Sequence, residues 1–521
     1  MMQDRFNFRD LFVLDLANNH QGSVEHGLTI IRNCGEVVRR HGVRAAVKFQ
    51  FRQLDSFIHP GHRNGSDNKH IPRFLSTRLE RPDYQRLLDE VRAKQMLAIC
   101  TAFDEASVPI IVEMGFDVIK VASCSAMDWP LIEAVSAADR PVIFSTGGIE
   151  IEQIDDLVSF IAHRNIDAAL MHCVSIYPTP ENKLNLANIA MLRARYPHLV
   201  IGWSTHEDQD DVAPVQIALA LGAGMFERHV GLATEQIVLN AYSSNPDQLD
   251  RWIGAYRRAR RMLGEHQRGA PDPEEVASLQ SLRRGVYAKR AVEPDARLTE
   301  DDVYFAMPCL EGQLESGLFK SGAVVNTAVI PDRPLMALDV ARPESPKTHI
   351  LKKAVHQVKA MLNFAGIQLG PEFEVEYSHH RGIENFKKTG VVIINCINRE
   401  YCKKILVQLP GQSHPWHFHR RKEETFQVLW GTMHAEIDGR VKTLLPGDTA
   451  LVLPGVWHRF WTDTGVIFEE VSTTHYNNDS VYKDPDINKV ERHQRKTVVD
   501  HWGRFQLTGE SSGGNGFEAP L

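Results

Sequence analysis

One group of imidazole and carboxylate side chains late in the chain has the residue types and spacing of a metal site. His417 and His419 are two residues apart in a strand-like segment, so both side chains project to the same face. Glu424 follows in the same hairpin region, and His458 comes from a later strand after a tight Pro-Gly turn. Three imidazoles and a carboxylate predict a site for manganese, iron, cobalt, nickel or zinc, with positions left for substrate. The alternative interpretation is a barrel that kept these histidines without a metal.

A second group of polar side chains follows short apolar segments in the first half of the chain. His206 and His229 could both bind a divalent metal such as manganese, iron or zinc, or they could be polar histidines at a rim. Lys48 and Lys120 lie in otherwise apolar segments, where an ammonium without an anion would be costly. Hydroxyl groups follow neighbouring segments, at Ser123, Ser145 and Thr146. Lysines and hydroxyls together predict a cradle for a carboxylate and a phosphate.

Eight apolar, β-rich segments must position this second group. They are 11–17, 45–50, 96–103, 118–123, 141–146, 168–175, 200–206 and 224–230. Between them lie helical stretches such as 23–42, with apolar residues at three- and four-residue spacing. Eight strand–helix units in about 260 residues predict an α/β fold of the (β/α)8, or TIM-barrel, type rather than an open sheet. The polar residues all fall at the carboxyl ends of the strands, where such barrels carry out catalysis.

The later part of the chain changes character. A small β-rich module and then an amphipathic helix come first, followed by short alternating strands with glycine and proline turns, which indicate an antiparallel barrel. The predicted domain organisation is a TIM barrel at 1–268, the β-rich module at 281–345, a helical linker at 346–370, the antiparallel barrel at 371–510 and a disordered tail at 511–521.

Composition excludes several classes of protein. At 521 residues the chain should form two to four domains, and its net charge of −7 argues against a nucleic-acid partner. Its one basic run, 257–261, fits a solvated helix face. The polar N-terminus lacks a signal-peptide core, and no apolar run reaches the length of a membrane span. Seven cysteines without a CxxC pair indicate reduced thiols, so we expect a cytoplasmic protein without a membrane partner.

Over about residues 8–345 the chain resembles the sialic acid synthase family. The matching blocks, in order, are NNHQGS (18–23), AVKFQ (46–50), CTAFD (100–104), IKVAS (119–123), STGG (145–148), HCVSIYPTP (172–180), WSTH (203–206), ERH (227–229) and SNP (244–246). The module at 281–345 is similar to the family's antifreeze-like (SAF) domain, which caps the barrel of a partner subunit. The resemblance therefore implies a homodimer.

The same resemblance implies a reaction and a set of site residues. Phosphoenolpyruvate would condense with a sugar aldehyde to a 3-deoxy-nonulosonate, with release of phosphate. Manganese would bind the residues matching His206 and His229 and would polarise the aldehyde, and Asp15 would be catalytic. The residues expected to bind substrate are Asn19, Lys48, Thr101, Lys120, Ser123, Ser145, Tyr177, Ser204 and Asn240.

Four positions depart from the family pattern. Asp15 replaces a glutamate, Ser125 replaces the catalytic glutamate, and Asn240 replaces an aspartate. A serine hydroxyl cannot take over a carboxylate's acid–base role, so either Asp15 assists the proton transfers or the reaction differs in detail. Met307 replaces an arginine that recognises the N-acetyl group of the substrate. Loss of that donor favours a plain aldose such as mannose over N-acetylmannosamine.

The segment that contains His417 and His458 resembles the cupin motifs, which implies an all-β cupin barrel. Residues 417–424 and 468–480 are similar to D-lyxose isomerase-type cupins, which bind manganese and interconvert aldoses and ketoses. This similarity implies catalytic roles for Lys422 and for one residue of the pair Glu469 and Glu470, since strand alternation lets only one of them face the metal. Two alternatives remain: a cupin that only binds sugar or mediates dimerisation, and an inactive barrel joined to an active isomerase.

Overall fold

The computed structural model describes residues 5–63, 67–264, 269–343, 347–371, 373–476, 478–500 and 502. The predicted disordered tail at 511–521 and the predicted domain boundaries at 268, 345, 346 and 510 lie outside these residues. The chain divides into two compact units, Met1–Gly269 and Ala270–Leu521. The finer division into domains stays a prediction.

Eight parallel strands close into a barrel in the first unit. They follow one another in chain order, and the first strand also pairs with the eighth. They are β1 (Leu11–Asp15), β2 (Arg44–Phe51), β3 (Leu97–Ala102), β4 (Val118–Val121), β5 (Val142–Ser145), β6 (Ala168–Cys173), β7 (Val200–Thr205) and β8 (Met225–His229). The predicted TIM barrel is confirmed, and each predicted segment overlaps one strand.

Helices surround these strands. They are α1 (Val24–His41), α2 (Leu54–Phe57), α3 (His70–Ser76), α4 (Arg81–Ala93), α5 (Ser107–Glu113), α6 (Trp129–Ser136), α7 (Ile151–His163), α8 (Ala187–Arg195), α9 (Ala213–Ala220) and α10 (Pro246–Leu263). Helix α1 shows how the local sequence determines where a helix begins and ends. Ser23 accepts a hydrogen bond from the backbone N–H of His26, and Gly42 ends the helix in the left-handed conformation. The arginines of the basic run are exposed on α10.

Strand alternation separates structure from chemistry inside the barrel. Val13 on β1 and Ala46 on β2 belong to the apolar cluster within the barrel. Two residues later on the same strands come Asp15 and Lys48, which are buried and lie side by side in the β1–β2 register. Because residues two apart share a face, the lower barrel is apolar and its carboxyl-end mouth is polar.

The second unit begins with α11 (Pro273–Ser281) and a small β-rich module. The module pairs β9 (Gly285–Ala288) with β10 (Val303–Ala306) and β11 (Val324–Val325) with β12 (Val340–Ala341). Val286, Leu298 and Val325 belong to an apolar cluster made within this module. Its assignment as a SAF domain stays a prediction.

Two antiparallel sheets follow. The seven-stranded sheet has the order β20-β17-β22-β15-β14-β13-β24, and the five-stranded sheet has the order β19-β18-β21-β16-β23. Their strands are β13 (Glu374–Ser378), β14 (Val391–Asn398), β15 (Tyr401–Gln408), β16 (His417–His419), β17 (Glu424–Gly431), β18 (Met433–Ile437), β19 (Arg440–Leu444), β20 (Thr449–Val452), β21 (His458–Trp461), β22 (Val466–Thr473), β23 (Ser480–Tyr482) and β24 (Lys496–Asp500). These all-β sheets confirm the predicted cupin fold. Two short helices, α13 (Pro485–Lys489) and α14 (Arg492–Arg495), precede β24.

The predicted linker helix has a different role from the one expected. Helix α12 (Lys347–Phe364) buries Leu351, Val355 and Val358 in one apolar cluster with residues of the seven-stranded sheet, such as Ile394. The prediction of a linker is therefore wrong for this segment, because its apolar face is part of the cupin core. Within the described ranges, no helix is long and apolar enough to cross a membrane. All seven cysteines are free, and five of them are buried.

Candidate active site and metal centre

The mouth of the TIM barrel holds a chain of buried ion pairs. Lys48 Nζ lies 2.9 Å from Asp15 Oδ2 and 3.3 Å from Glu227 Oε1. Lys120 Nζ lies 3.0 Å from Glu227 Oε2. Ser204 Oγ donates to Glu227 Oε1 at 2.8 Å. The two ammonium groups are thus matched by two carboxylates of the protein itself, so the pairs carry no net charge.

These pairs set the protonation of the mouth. Burial alone would lower the pKa of Lys48, but the charges of Asp15 and Glu227 outweigh it and raise that pKa. Burial would raise the pKa of Glu227, and the two lysines hold it far below its usual range instead. Lys120 has one carboxylate partner, and burial lowers its pKa. The geometry therefore keeps Lys48 and Glu227 charged in a buried site.

Both predicted metal-binding histidines lie at this mouth. His206 Nδ1 lies 3.0 Å from the Val174 carbonyl, so Nδ1 carries the proton and Nε2 keeps its lone pair. His229 Nδ1 lies 3.3 Å from Asp15 Oδ2, which leaves its Nε2 in the same state. The two imidazole centroids are 5.2 Å apart. Burial and the neighbouring His229 lower the pKa of His206 to about 3, so the ring is neutral as a metal ligand must be.

Aromatic rings cover the two imidazoles. The predicted substrate-binding residue Tyr177 is half exposed, and its ring centroid lies 4.1 Å from that of His206. Tyr242, which the sequence interpretation did not single out, lies 5.2 Å from both Tyr177 and His229, measured between ring centroids. Two phenol side chains therefore lie beside the imidazoles.

The remaining predicted binding residues divide into two sets. Thr101 pairs with Lys120 in the β3–β4 register, and its buried hydroxyl has no hydrogen-bond partner among the described residues. Ser145 ends β5 and is buried, and Ser123 Oγ accepts the Gly147 N–H at 3.0 Å. By contrast, Asn19 and Asn240 bond to each other, since Asn240 Nδ2 donates to Asn19 Oδ1 at 3.2 Å. Asn19 Nδ2 also donates to the Val230 carbonyl at 2.8 Å. This hydrogen bond connects the loop after β1 to the segment after β8.

The sequence interpretation named Asp15 among the residues of the mouth and missed a second carboxylate, Glu227. Glu227 and His229 are two residues apart on β8, so both face the barrel interior. Between them Arg228 faces outward, with its guanidinium 5.4 Å from the Trp252 ring. The same alternation that identified His417 and His419 would have identified Glu227. Ser125, in the position of the family glutamate, is buried in the turn after β4.

The cupin holds a more complete group of ligands. Ligand atoms of His417, His419, Glu424 and His458 all lie within 4.8 Å of one another. Glu424 Oε1 lies 3.2 Å from His419 Nε2, and Glu424 Oε2 lies 3.3 Å from His458 Nε2. Glu424 Oε2 and His458 Nε2 are buried without a hydrogen-bond partner in the described part of the chain. Such converging, unsatisfied ligand atoms fit a divalent cation.

Each imidazole of this group is oriented through its other nitrogen. His417 Nδ1 lies 3.1 Å from the Pro415 carbonyl, and His458 Nδ1 lies 3.1 Å from the Val456 carbonyl. His419 Nδ1 lies 3.3 Å from Ser480 Oγ. A carbonyl can only accept, so His417 and His458 must donate from Nδ1 and present Nε2 to the centre. Orientation of this kind is typical of metal-binding histidines.

A lysine–glutamate chain adjoins the cupin ligands. Lys422 Nζ contacts Glu424 Oε1 and lies 3.0 Å from Glu470 Oε1, which is also 3.2 Å from Lys404 Nζ. These contacts show which residue of the pair Glu469 and Glu470 faces the ligands. Glu469 points to the opposite face of β22 and pairs with Lys403 at 2.6 Å, so its predicted catalytic role is wrong. Glu470 faces the ligands.

The fold and these two sites define a TIM-barrel protein with an ion-paired, imidazole-bearing mouth, joined to a metal-type cupin. A family model described as NeuB family matches residues 38–268, and one described as Cupin domain matches residues 405–469. The chain belongs to the NeuB family. Its cupin match is to cupin domains in general, so the similarity to D-lyxose isomerases stays a prediction.

Three relatives illustrate the similarity. The chain is 30% identical to the spore coat polysaccharide biosynthesis protein SpsE of Bacillus subtilis, over 59% of this chain and 85% of the relative. It is 28% identical to an N-acetylneuraminate-9-phosphate synthase of Drosophila melanogaster, over 43% of this chain and 60% of the relative. A solved structure from Chromobacterium violaceum, described as a spore coat polysaccharide biosynthesis protein E, is 45% identical. It has a TM-score of 0.63 and covers 64% of this chain and 100% of its own.

Proposed function

We propose that the barrel joins phosphoenolpyruvate to a sugar aldehyde and releases phosphate, giving a 3-deoxy-nonulosonate. The observation that carries the proposal is the pairing of Lys48 and Lys120 with Asp15 and Glu227 beside two imidazoles, at the carboxyl end of a TIM barrel. The similarity to the Drosophila relative, an N-acetylneuraminate-9-phosphate synthase, supports this class of reaction.

Binding of phosphoenolpyruvate would use charges that the protein keeps in place. Because Glu227 holds both lysines, a phosphate or carboxylate can approach ammonium groups that are already positioned. The unsatisfied hydroxyl of Thr101, beside Lys120 in the barrel register, can donate to the same anion. Ser145, the last residue of β5, supplies another hydroxyl.

His206 and His229 would hold the divalent metal, which the resemblance to sialic acid synthases implies to be manganese. When bound there, the metal supplies Lewis-acid polarisation of the aldehyde oxygen. Asp15 Oδ2 lies between Lys48 Nζ, at 2.9 Å, and His229 Nδ1, at 3.3 Å. Asp15 therefore orients the His229 ring and is the proposed proton acceptor.

The atoms balance in one reaction. C3 of phosphoenolpyruvate forms a bond to the aldehyde carbon, one water adds its oxygen at C2, and the bond that links C2 to the phosphate oxygen breaks. One proton of the water passes through Asp15 Oδ2 to the aldehyde oxygen, which becomes a hydroxyl, and the second proton leaves when C2 becomes a carbonyl and phosphate departs. The proposal includes a plain aldose such as mannose as the acceptor, since Met307 offers no charged donor to an N-acetyl group. We further propose that the chain forms a homodimer. In that dimer the module at 281–345 would act as a SAF domain and cap the barrel of the partner subunit.

A phosphate-release assay tests this proposal. The full chain, loaded with manganese, is given phosphoenolpyruvate with mannose, mannose 6-phosphate or N-acetylmannosamine. We expect release with at least one aldose, a higher kcat/KM for a plain aldose, and loss of release in Lys120→Met. Lys442→Met, an exposed lysine of the cupin, is the matched control. Release without any aldose, or none with any of them, would contradict the condensation.

A second candidate function belongs to the cupin, which we propose as an aldose–ketose isomerase that supplies the acceptor sugar. The observation in its favour is Lys422, which touches the ligand Glu424 and lies 3.0 Å from Glu470. A buried lysine–carboxylate pair beside a metal site can move a proton between C1 and C2 of a sugar. His417→Ala should then abolish use of fructose while sparing use of mannose. Equal use of both sugars by this variant would favour a cupin that only binds sugar.

A further inference from the structure

A cleft on the cupin, separate from its metal ligands, collects positive charge. It has a volume of about 1020 Å³ and is lined by the loop after β13, the residues just before β16, strand β21 and the residues after β23. Four of its lining side chains are cationic, namely Arg381, Lys388, Arg459 and Lys483, whereas Asp484 is the one carboxylate among them. This volume suits a small organic ligand.

The cations of the cleft differ in how they are neutralised. Arg381 pairs with Asp484 at 2.6 Å, and Arg459 pairs with Glu436 at 2.7 Å. For Lys388 and Lys483, no carboxylate lies within 4 Å among the described residues. The cleft therefore keeps an excess of positive charge, which an anion would neutralise.

Indole rings contact two of these cations. The Arg459 guanidinium lies 5.2 Å from the Trp416 ring centroid and 5.1 Å from that of Trp461. The Lys483 ammonium lies 5.4 Å from the same Trp416 ring. Cation–π contacts with Trp416 restrict both side chains before any ligand arrives. Binding of an anion in the cleft would therefore cost little side-chain entropy at these residues.

Neutral polar groups complete the lining. Thr389 and Ser413 bring hydroxyl groups, and Asn385 brings an amide, whose Nδ2 donates to the Arg381 carbonyl at 2.9 Å. Ser413 Oγ donates to the Lys388 carbonyl at 3.1 Å, so its oxygen can still accept. Cationic side chains together with hydroxyl and amide groups match a ligand with an anionic group and several hydroxyls.

A buried histidine separates this cleft from the metal ligands. His414 lines the cleft, and its ring centroid lies 4.4 Å from that of His417. His414 Nδ1 lies 3.2 Å from the Pro415 carbonyl and must donate to it. His414 Nε2 therefore accepts from His380 Nε2, 3.1 Å away. Both nitrogens of His414 are thus engaged, and none of the four metal-type ligands is among the residues that line the cleft.

We propose that this cleft binds a phosphorylated or carboxylated sugar, with Lys483 on its anionic group. The ligand shares the chemistry of the sugars in the proposed reaction, but the site is distinct from the barrel mouth and from the cupin ligands. The inference does not depend on the condensation, because it rests on the charge and geometry of the cleft alone.

Calorimetric titration of the full chain tests the proposal. The probes are mannose 6-phosphate, N-acetylneuraminate, uncharged mannose and inorganic phosphate. We expect at least one of the two anionic sugars to bind, and the one that binds identifies the anionic group. Lys483→Gln should weaken that binding about tenfold, since it removes a charge-assisted contact. Lys442→Gln, which removes an exposed lysine of β19, is the matched control and should bind as the wild type does.

Three results would overturn the proposal. Binding of neither anionic sugar would remove its basis. Equal affinity of the wild type and Lys483→Gln would place the ligand elsewhere, for example in the barrel. Equal affinity for inorganic phosphate and the anionic sugar would reduce the cleft to a site for a bare anion. The phosphate-release assay of the same variants is independent of all three, so failure here leaves the condensation untouched.

Discussion

The barrel mouth and the cupin centre use the same four charges in different surroundings. In the mouth, Lys48 and Lys120 share Glu227, and Lys48 also contacts Asp15. In the cupin, a chain of the same kind runs from Lys404 through Glu470 to Lys422 and on to Glu424. Both chains pair two ammonium groups with two carboxylates next to imidazoles. A buried charge is tolerated at each site because an oppositely charged side chain of the protein lies beside it.

The difference lies in the number of ligands that converge. The cupin brings three imidazoles and Glu424 together, and among the described residues it is the one group with three or more such ligand atoms within reach. The barrel offers His206 and His229, with Asp15 bonded to the second. A metal in the cupin could be held by the protein alone, whereas one in the barrel would need oxygen ligands from water or substrate. The comparison suggests a resident cupin metal and an exchangeable barrel metal.

The largest expected effect separates the two sites by function. His206→Ala should lower condensation at least about a thousandfold, because Lewis-acid polarisation contributes several kcal/mol. The cupin metal content, measured by elemental analysis, should stay unchanged. His198→Ala, an exposed histidine of the same unit, is the control. Turnover of His206→Ala close to the wild-type value would remove the barrel metal from the reaction.

Chelation should separate them by affinity. During dialysis against EDTA we expect condensation to disappear while about one metal ion per chain remains, since four protein ligands hold an ion more firmly than two. Elemental analysis and phosphate release are measured on the same samples. Added manganese should restore activity, and the total metal content should then not exceed the value measured before dialysis. Loss of both metals at one rate would contradict the ranking of the two sites.

Stability should respond in each unit separately. Glu227→Gln leaves two buried lysines with one carboxylate, and we expect about 3 kcal/mol lower stability of the barrel unit. Glu470→Gln should have a similar effect on the cupin, where it separates Lys404 from Lys422. Urea unfolding with far-ultraviolet circular dichroism follows the two transitions. Glu423→Gln, an exposed glutamate of the cupin, is the control. A change of the wrong transition would show that the charges act outside their own unit.

The smallest expected effect is a pH dependence of the cupin. Burial would raise the pKa of Glu376, but Lys496 Nζ at 2.6 Å and Arg492 lower it to about 2 from the ordinary value of 4.5. A depressed carboxyl pKa stabilises the fold above about pH 4.5, and the benefit disappears as the pH falls towards 2. The difference in unfolding free energy between wild type and Glu376→Gln should be about 2 kcal/mol at pH 6 and smaller at pH 3. A constant difference would mean that the pair does not titrate.

Strand periodicity explains how far the sequence interpretation reached. It placed His417 and His419 on one face, and it allowed just one of Glu469 and Glu470 to face the metal. Choosing Glu470 required the register of β22 against its neighbours, which no local pattern contains. The same limit applied to Lys48, whose partners come from β1 and β8, more than 30 and 170 residues away along the chain.

The sequence by itself determined the eight strands, the order of the TIM barrel and the cupin, and the ligand types, because alternation, helix caps and motif spacing are local properties. Tertiary structure alone decided which charges meet. Glu227 reaches Lys48 and Lys120 because the barrel closes β8 onto β1, and α12 became part of the cupin core because the seven-stranded sheet offered an apolar face. Those outcomes depend on contacts between distant segments. A local pattern gives each residue its face, whereas packing gives it its partner.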